Sequence, residues 1–592
     1  MTKPRLVRQS ARHPLRASLA AACLATPVAV CAQGLPTANL PAPNLSAQGL
    51  PSQSQTPPGA EVERRGGDAR IDLRIGGALA APAGAEGVTL NNATIAVEGG
   101  FAPVSEEAGA LLPAPGSSIT LAQVYAAAAA LQQAYLEAGY PLMRVFVPVQ
   151  DLDAQSAQVR LQVVAGYVAD VKTDTLDPRI RNVVARYLKP LIGQQNLSAA
   201  TLERAVLLAG DVSGVQLASA LSPGNQTGET VLIVSGDFAP VQAVLSADNR
   251  LSPELGREQA TLSAAFNSLL GLGERIGVTY ATALDDPSFS RSALRRYAGI
   301  YADLPIGSDG LVIGGDASVS TARPKGAAAF LALSSRFEHF GGRVSYPLIR
   351  NRRERLIVST SFDANTETQD SLLLGFPVPL SRDETRVGRV GLNASLQGRS
   401  GLYVTAEIEY GRGLDILGAR RVTDATIFEP LSRIGADAVF DKLSANLVIE
   451  AGLPRTPVTG RITLRSQTGF GDPLLRSEQL SVAAPDLISG PPSGSLVGDS
   501  GIAARYQIEA LAYSTDIRLI PYAFAATART TLENPTFFER PQTNTNAYGI
   551  GLNTQVPLGK TTLTGAIEYS HTDSDDPNGR GNWVTFQIAL RF

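Results

Sequence analysis

The sequence predicts a mainly β protein, a transmembrane antiparallel β-barrel preceded by two small α+β domains. Three observations predict it. From about Asp237 to Phe592, segments of roughly ten residues alternate apolar and polar, parted by Gly, Pro, Asn, Asp or Arg. The chain ends on a strand whose alternate residues are Val584, Phe586, Ile588, Leu590 and Phe592. Its first thirty-odd residues read as a secretory signal.

That signal spans residues 1–32. Lys3, Arg5, Arg8, Arg12 and Arg16 form a basic start, and no Asp or Glu precedes Glu61. The apolar stretch Ala17 to Ala32 ends Val30-Cys31-Ala32, small residues suited to cleavage before Gln33. It is too short to cross a bilayer as a helix, which disfavours a retained anchor. Val30 before Cys31 disfavours a lipoprotein. Both cysteines, Cys23 and Cys31, lie inside the signal, so the mature chain offers neither a disulfide framework nor thiolate chemistry. The three histidines, at 13, 339 and 571, are too scattered for a metal site or a His-based triad. A net charge of −3 on 592 residues argues against nucleic acid as partner. Nothing implies a cofactor or an enzyme.

Residues 33–85 read as a linker. Gln33 to Ala60 holds six prolines and no charge, so it cannot bury a core and is expected to be extended or disordered. Those prolines also forbid a long helix there.

Residues 86–166 and 167–236 then give the pattern strand, helix, helix, strand, strand twice, as two α+β domains of about 75 residues each. In the first, Thr94 to Val97 is a strand. Leu121 to Ala138 is a helix, because Leu121, Val124, Ala128, Leu131, Tyr135 and Ala138 share one face. Thr120 can cap its start and Gly139 its end. Strands follow at Met143–Val147 and Gln158–Val164; in the second, Val159, Leu161 and Val163 alternate with Gln158, Arg160 and Gln162. The second domain opens with a strand at Tyr167–Val171. Asp177-Pro178 starts one helix and Ser198 the next, and Val231–Val234 closes the sheet.

Within residues 237–592, Leu356, Val358, Thr360, Phe362 and Ala364 make one apolar stripe. Leu402, Val404, Ala406, Ile408 and Tyr410 make another, with Thr405, Glu407 and Glu409 opposed. A soluble sandwich alternates in the same way. The single long run of such strands and the terminal phenylalanine favour a barrel, which alone carries strands through lipid with no unpaired backbone.

Short stretches then add a family resemblance. Gly139-Tyr140 followed by Arg144-Val145-Phe146-Val147-Pro148-Val149-Gln150, then Ala165-Gly166, Ser222-Pro223-Gly224, Asp248-Asn249, Leu270-Gly271-Leu272-Gly273 and Tyr346-Pro347-Leu348-Ile349-Arg350 occur in order. Together they resemble the two-partner secretion transporters of the ShlB/FhaC/HecB type. The resemblance implies two polypeptide-transport-associated (POTRA) domains and a barrel of about sixteen strands. The 356 residues from 237 to 592 would give each strand and its connection about 22, against the ~10 a tilted strand needs to cross.

Ser477-Glu478-Gln479-Leu480 through Gly498-Asp499-Ser500-Gly501 resembles that family's long loop, which folds back into the lumen. Its tip reads Ile488-Ser489-Gly490-Pro491, with Ser489 where the family has arginine and Pro491 where it has an aromatic. Ala526, in Phe524-Ala525-Ala526-Thr527-Ala528, stands where the family has the aspartate that meets that arginine. Losing one partner would strand a charge at a cost of roughly 3–5 kcal/mol, whereas losing both avoids it. The double change is what a sequence would show on dispensing with this ionic latch, with Pro491-Pro492 stiffening the tip.

The resemblance implies a translocator that captures an unfolded adhesin or haemolysin-type exoprotein in the periplasm and passes it outward without nucleotide hydrolysis. Capture by strand addition at a sheet edge would place Arg144, Pro148 and Gln150 on the recognition surface. Phe592 would be read by the barrel-assembly machinery, and outer-membrane lipid would surround the wall. Two alternatives are a barrel-insertion factor and a porin-like or receptor-like barrel in which the loop is static. Gly559-Lys560-Thr561 lacks the glycine of a phosphate loop, since Thr554 holds its place, and is expected to be a hairpin turn. Asp573, Asp575 and Asp576 lack calcium-loop spacing.

Overall fold

The computed structural model describes residues 70–72, 80–100, 104, 110–153, 155–284, 293–326, 332–398, 401–514, 517–537 and 539–592. The signal and the proline-rich stretch before Ala60 lie outside the described residues.

The first small domain contains β2 (Thr89–Glu98), β3 (Ser117–Thr120), α1 (Leu121–Glu137), β4 (Arg144–Phe146) and β5 (Gln158–Val164), after a three-residue β1 (Arg70–Asp72). Its sheet has the order β3-β2-β5-β4. Helix α1 begins where expected because Thr120 forms a capping box, accepting from the Gln123 N–H while the Gln123 side chain accepts from the Thr120 N–H. Gly139 ends it at φ 89°. Val124, Ala128, Leu131 and Tyr135 lie under the sheet with Val145, Val159 and Leu161.

The second contains β6 (Tyr167–Lys172), α2 (Pro178–Leu188), α3 (Ala199–Gly210), β7 (Val215–Pro223) and β8 (Glu229–Phe238). Asp177 and Ser198 cap the two helices. Its sheet order is β1-β7-β8-β6: β1, from the expected linker, adds to this sheet in parallel, Ile71 opposite Ser219. The two domains abut closely. Leu142 of the first is buried in the core of the second, and the Ala199 N–H donates to the Gly139 carbonyl at 2.7 Å. A β-carbon at Gly166 would sit 2.1 Å from the Leu142 carbonyl, which is why the junction takes glycine.

The remaining strands form one closed antiparallel barrel. They are β9 (Val241–Asp248), β10 (Gln259–Asn267), β11 (Arg275–Ala283), β12 (Arg295–Ile306), β13 (Leu311–Ala322), β14 (Leu333–Arg350), β15 (Glu354–Ser371) and β16 (Val378–Gln397). Next come β17 (Leu402–Gly413), β18 (Asp441–Gly452) and β19 (Val458–Thr468). After a long loop that carries the short pair β20 (Leu480–Ser481) and β21 (Val497–Gly498), β22 (Ser500–Ala510) continues as β23 (Ala512–Ser514). The last four are β24 (Ile517–Thr531), β25 (Gln542–Leu558), β26 (Thr561–Ser574) and β27 (Gly581–Arg591). With β22 and β23 as one stave, the barrel has sixteen. The apolar stripes face outward: Ile567 and Val584 are more than half exposed, while Glu568 and Thr585 between them are buried. Gly559 makes the β25–β26 turn at φ 66°. No helix among the described residues is long and apolar enough to cross a membrane.

Two of the short stretches noted above form the rim on which the second domain sits. The Ser268 hydroxyl donates to the Arg179 carbonyl, and Gly273 lies against Val183, where a β-carbon would clash. Arg350, at the end of β14, makes two 2.8 Å bonds to the Asp211 carboxylate, and Arg204 donates to the Pro347 carbonyl at 2.8 Å.

Candidate functional site: the lumen loop and its anchorage

The loop from Gly469 to Asp499 leaves the wall between β19 and β22 and is fastened at three places. All three use charge, because the inward positions of the strands face a polar interior.

The first is Glu478, 2% exposed. It takes two bonds from Arg389 of β16, at 2.9 and 3.0 Å, and an ion pair from Lys442 of β18 at 2.6 Å. Arg389 is held in turn by Asp363 and Glu409 on the flanking strands, at 2.8 and 3.4 Å. The second is Asp499, fully buried. It pairs with Arg433, from the segment between β17 and β18, and accepts from the Leu474 and Glu533 N–H groups and the Gln479 side chain. Each carboxylate is thus fully partnered, as burial demands.

The third anchor holds the tip. Ser489 is 1% exposed; its hydroxyl donates to Glu568 of β26 and accepts from Arg505 of β22 at 3.0 Å. Arg505 and Glu568 pair with each other at 2.8 Å, both nearly inaccessible. Tyr522 of β24 donates its hydroxyl to Glu568 at 2.8 Å, and the Arg505 guanidinium lies 3.6 Å from the centre of the Phe524 ring. Arg250, just past β9, donates to the Ser489 carbonyl at 3.2 Å, and its own carbonyl accepts from the Ser493 N–H at 2.9 Å. Gly490 passes so close to Trp583 of β27 that a β-carbon there would lie 2.4 Å from the indole.

The expected tip residues therefore all reach the wall. Ile488 is buried in an apolar cluster with Leu487, Val482, Phe524 and Ala526, and Pro491 is buried too. Ala526 faces this cluster and carries no charge, but its direct partner across the β22–β24 ladder is Arg505. A different ionic pair lies here, Arg505 with Glu568, both in the wall, and the tip meets it through the Ser489 hydroxyl. Sequence reasoning missed Arg505, Glu568 and Arg250 because inward charges occur on many strands, and no local pattern marks which ones converge. Glu478 and Asp499 served the sequence reading only as a frame for the loop; they prove to be its other two anchors.

On the first domain, Arg144 and Pro148 are half-buried. The Gln150 side chain is engaged within the domain, accepting from the Arg160 N–H at 2.8 Å and donating to the Arg160 carbonyl at 3.0 Å. The N–H of buried Val145 donates to the Gln132 side chain at 3.2 Å. Among the described residues no cluster of His, Cys, Asp or Glu is arranged to hold a metal. Asp573 instead pairs with Arg580, and Asp575 accepts from Asn544.

The model of the haemolysin secretion/activation protein family ShlB/FhaC/HecB matches residues 228–527, and that of the ShlB-type POTRA domain matches residues 93–166. Among solved structures, CdiB from Escherichia coli is similar at 19% identity and TM-score 0.64, covering 86% of this chain and 92% of that one. CdiB from Acinetobacter baumannii is similar at 14% identity and TM-score 0.58, over 87% and 91%. No match is found among curated proteins.

Proposed function

Because the chain belongs to the ShlB/FhaC/HecB haemolysin secretion/activation family of two-partner secretion transporters, we propose that it exports an unfolded exoprotein across the outer membrane. The small domains, on the periplasmic side, capture the client as an extended strand. The client then passes through the lumen without nucleotide hydrolysis, drawn forward by folding outside. The observation that carries this reading is a closed wall with a charged interior, into which, among the described residues, a long loop folds and is anchored by hydrogen bonds and ion pairs. Such contacts can be exchanged for others, unlike a fused core.

Strand capture is supported by β1, which lies along β7 through backbone pairing over three residues. Arg144 and Pro148 border the short edge strand β4 and are assigned to client contact. Gln150 is assigned to holding that segment against β5. The exposed Phe592, following β27, is assigned to recognition by the assembly machinery.

Deleting the gene and comparing the proteins released by otherwise identical cells tests the proposal. One large secreted protein should disappear from the medium and return when the gene is restored. An unchanged set of secreted proteins sinks it.

A further inference from the structure

The barrel closes by pairing its first strand with its last, and that seam is short. β27 and β9 match over five residue pairs, from Gln587 opposite Asp248 to Arg591 opposite Val244, and Phe592 and Ala243 add a sixth through backbone bonds in both directions. β9 and its other neighbour β10 match over eight. Because β9 stops at Asp248, the stretch of β27 before Gln587 has no strand beside it at the seam. One side chain extends the ladder: Asn249 donates to the Val584 carbonyl and accepts from the Phe586 N–H, both at 2.9 Å, as a further strand residue would.

Beyond that amide the lumen loop takes over. Its tip is bonded to Arg250 on the β9 side, through the Ser489 carbonyl and the Ser493 N–H. On the other side Ser489 bonds to Glu568 of β26, and Gly490 is pressed against Trp583 of β27. The tip thus spans the seam where backbone pairing has ended. We propose that the loop is a removable staple of the barrel seam, joining Arg250 to Glu568 and Trp583. Asn249 is the last fixed rung beneath it. When the tip leaves the lumen, Arg505 and Glu568 keep each other as partners, while Arg250 loses its acceptor at the Ser489 carbonyl. The seam alone loses closure. Loop position and seam strength are therefore coupled within one barrel.

The inference is set in the barrel of the proposed function, but its test reads the wall and not export, so a chain that secretes nothing still reports on it. Amide hydrogen exchange is followed on the full chain in lipid nanodiscs, with residues 484–494 replaced by a short Gly-Ser link. Exchange at residues 244–248 and 584–591 should rise about tenfold or more, while the β14–β16 wall stays unchanged. No rise at the seam, or an equal rise around the barrel, overturns the proposal. If the shortened chain fails to assemble, Arg250→Met leaves the loop whole and removes one arm of the staple. It should raise seam exchange about threefold, and no selective rise is again fatal. Asn249→Ala, which touches no loop residue, should add its own increment to either variant.

Discussion

At the scale of single residues, the tip anchor turns on how two buried charges share a small space. Glu568 is the one carboxylate accepting from Arg505, Tyr522 and Ser489 together. Glu568→Ala leaves the Arg505 guanidinium buried without its counter-charge, a loss of about 3–5 kcal/mol. Replacing both, as Arg505→Met with Glu568→Met, should recover most of that. Resistance of the folded barrel to heating in detergent, read as gel mobility, checks both; equal loss in the single and double variants would show that the pair is not the cause. The family-like substitution Ser489→Arg should be destabilising, because it sets a third guanidinium beside Arg505 and Arg250. Adding Ala526→Asp places a carboxylate directly across the ladder from Arg505 and should relieve the strain. Partial recovery of heat resistance in the pair, absent from Ser489→Arg alone, is the expected result. None of this was legible from the loop's own letters. The absence of arginine at 489 and aspartate at 526 could be seen; that Arg505 stands opposite Ala526 on the neighbouring strand required the ladder register.

At the scale of elements, legibility followed how local the determinant was. α1, α2 and α3 start where Thr120, Asp177 and Ser198 put them, since a cap acts within one turn. β5 was read to the residue because Val159, Leu161 and Val163 alternate under the sheet. β3 and β1 escaped, being three or four residues long and defined only by the strand beside them. The stretch Tyr346 to Arg350 looked like a family signature without a stated reason, and the reason is tertiary: it forms the rim under α3. Asp211→Asn keeps the shape but removes the charge that the buried Arg350 requires, at a cost of about 2 kcal/mol to that contact. Limited proteolysis at residues 239–240, between the second domain and β9, should become several-fold faster, with barrel heat resistance unchanged. A parallel fall in barrel resistance would mean instead that Arg350 serves the wall.

At the scale of the whole molecule, the question is whether the loop is a plug that moves or a fixture. Barrel closure was legible from the outward stripes, and the structure repeats them on strand after strand, but alternation says nothing about what fills the interior. Anchors at Glu478 and Asp499 lie where the loop leaves and rejoins the wall, flanking the β20–β21 pair, so they can persist while the tip swings. The tip itself is held by Ser489, Ser493 and an apolar patch; its partners Arg505 and Glu568 keep their ion pair without it, while Arg505 Nη1 gives up its acceptors at Pro485, Leu487 and Ser489. That asymmetry favours motion of the tip over motion of the base. It can be tested through a reversible lock, because the chain has no cysteine after Cys31. Gly490 of the tip is pressed against Trp583 of β27, where a β-carbon on the glycine would lie 2.4 Å from the indole. Gly490→Cys with Trp583→Cys should therefore form a disulfide across tip and wall. If the client must displace the loop, the oxidised chain exports about tenfold less than the same chain with reductant added. Either single cysteine variant should be indifferent to reductant. Equal export from the oxidised and reduced forms would make the loop a fixture and leave the client another route.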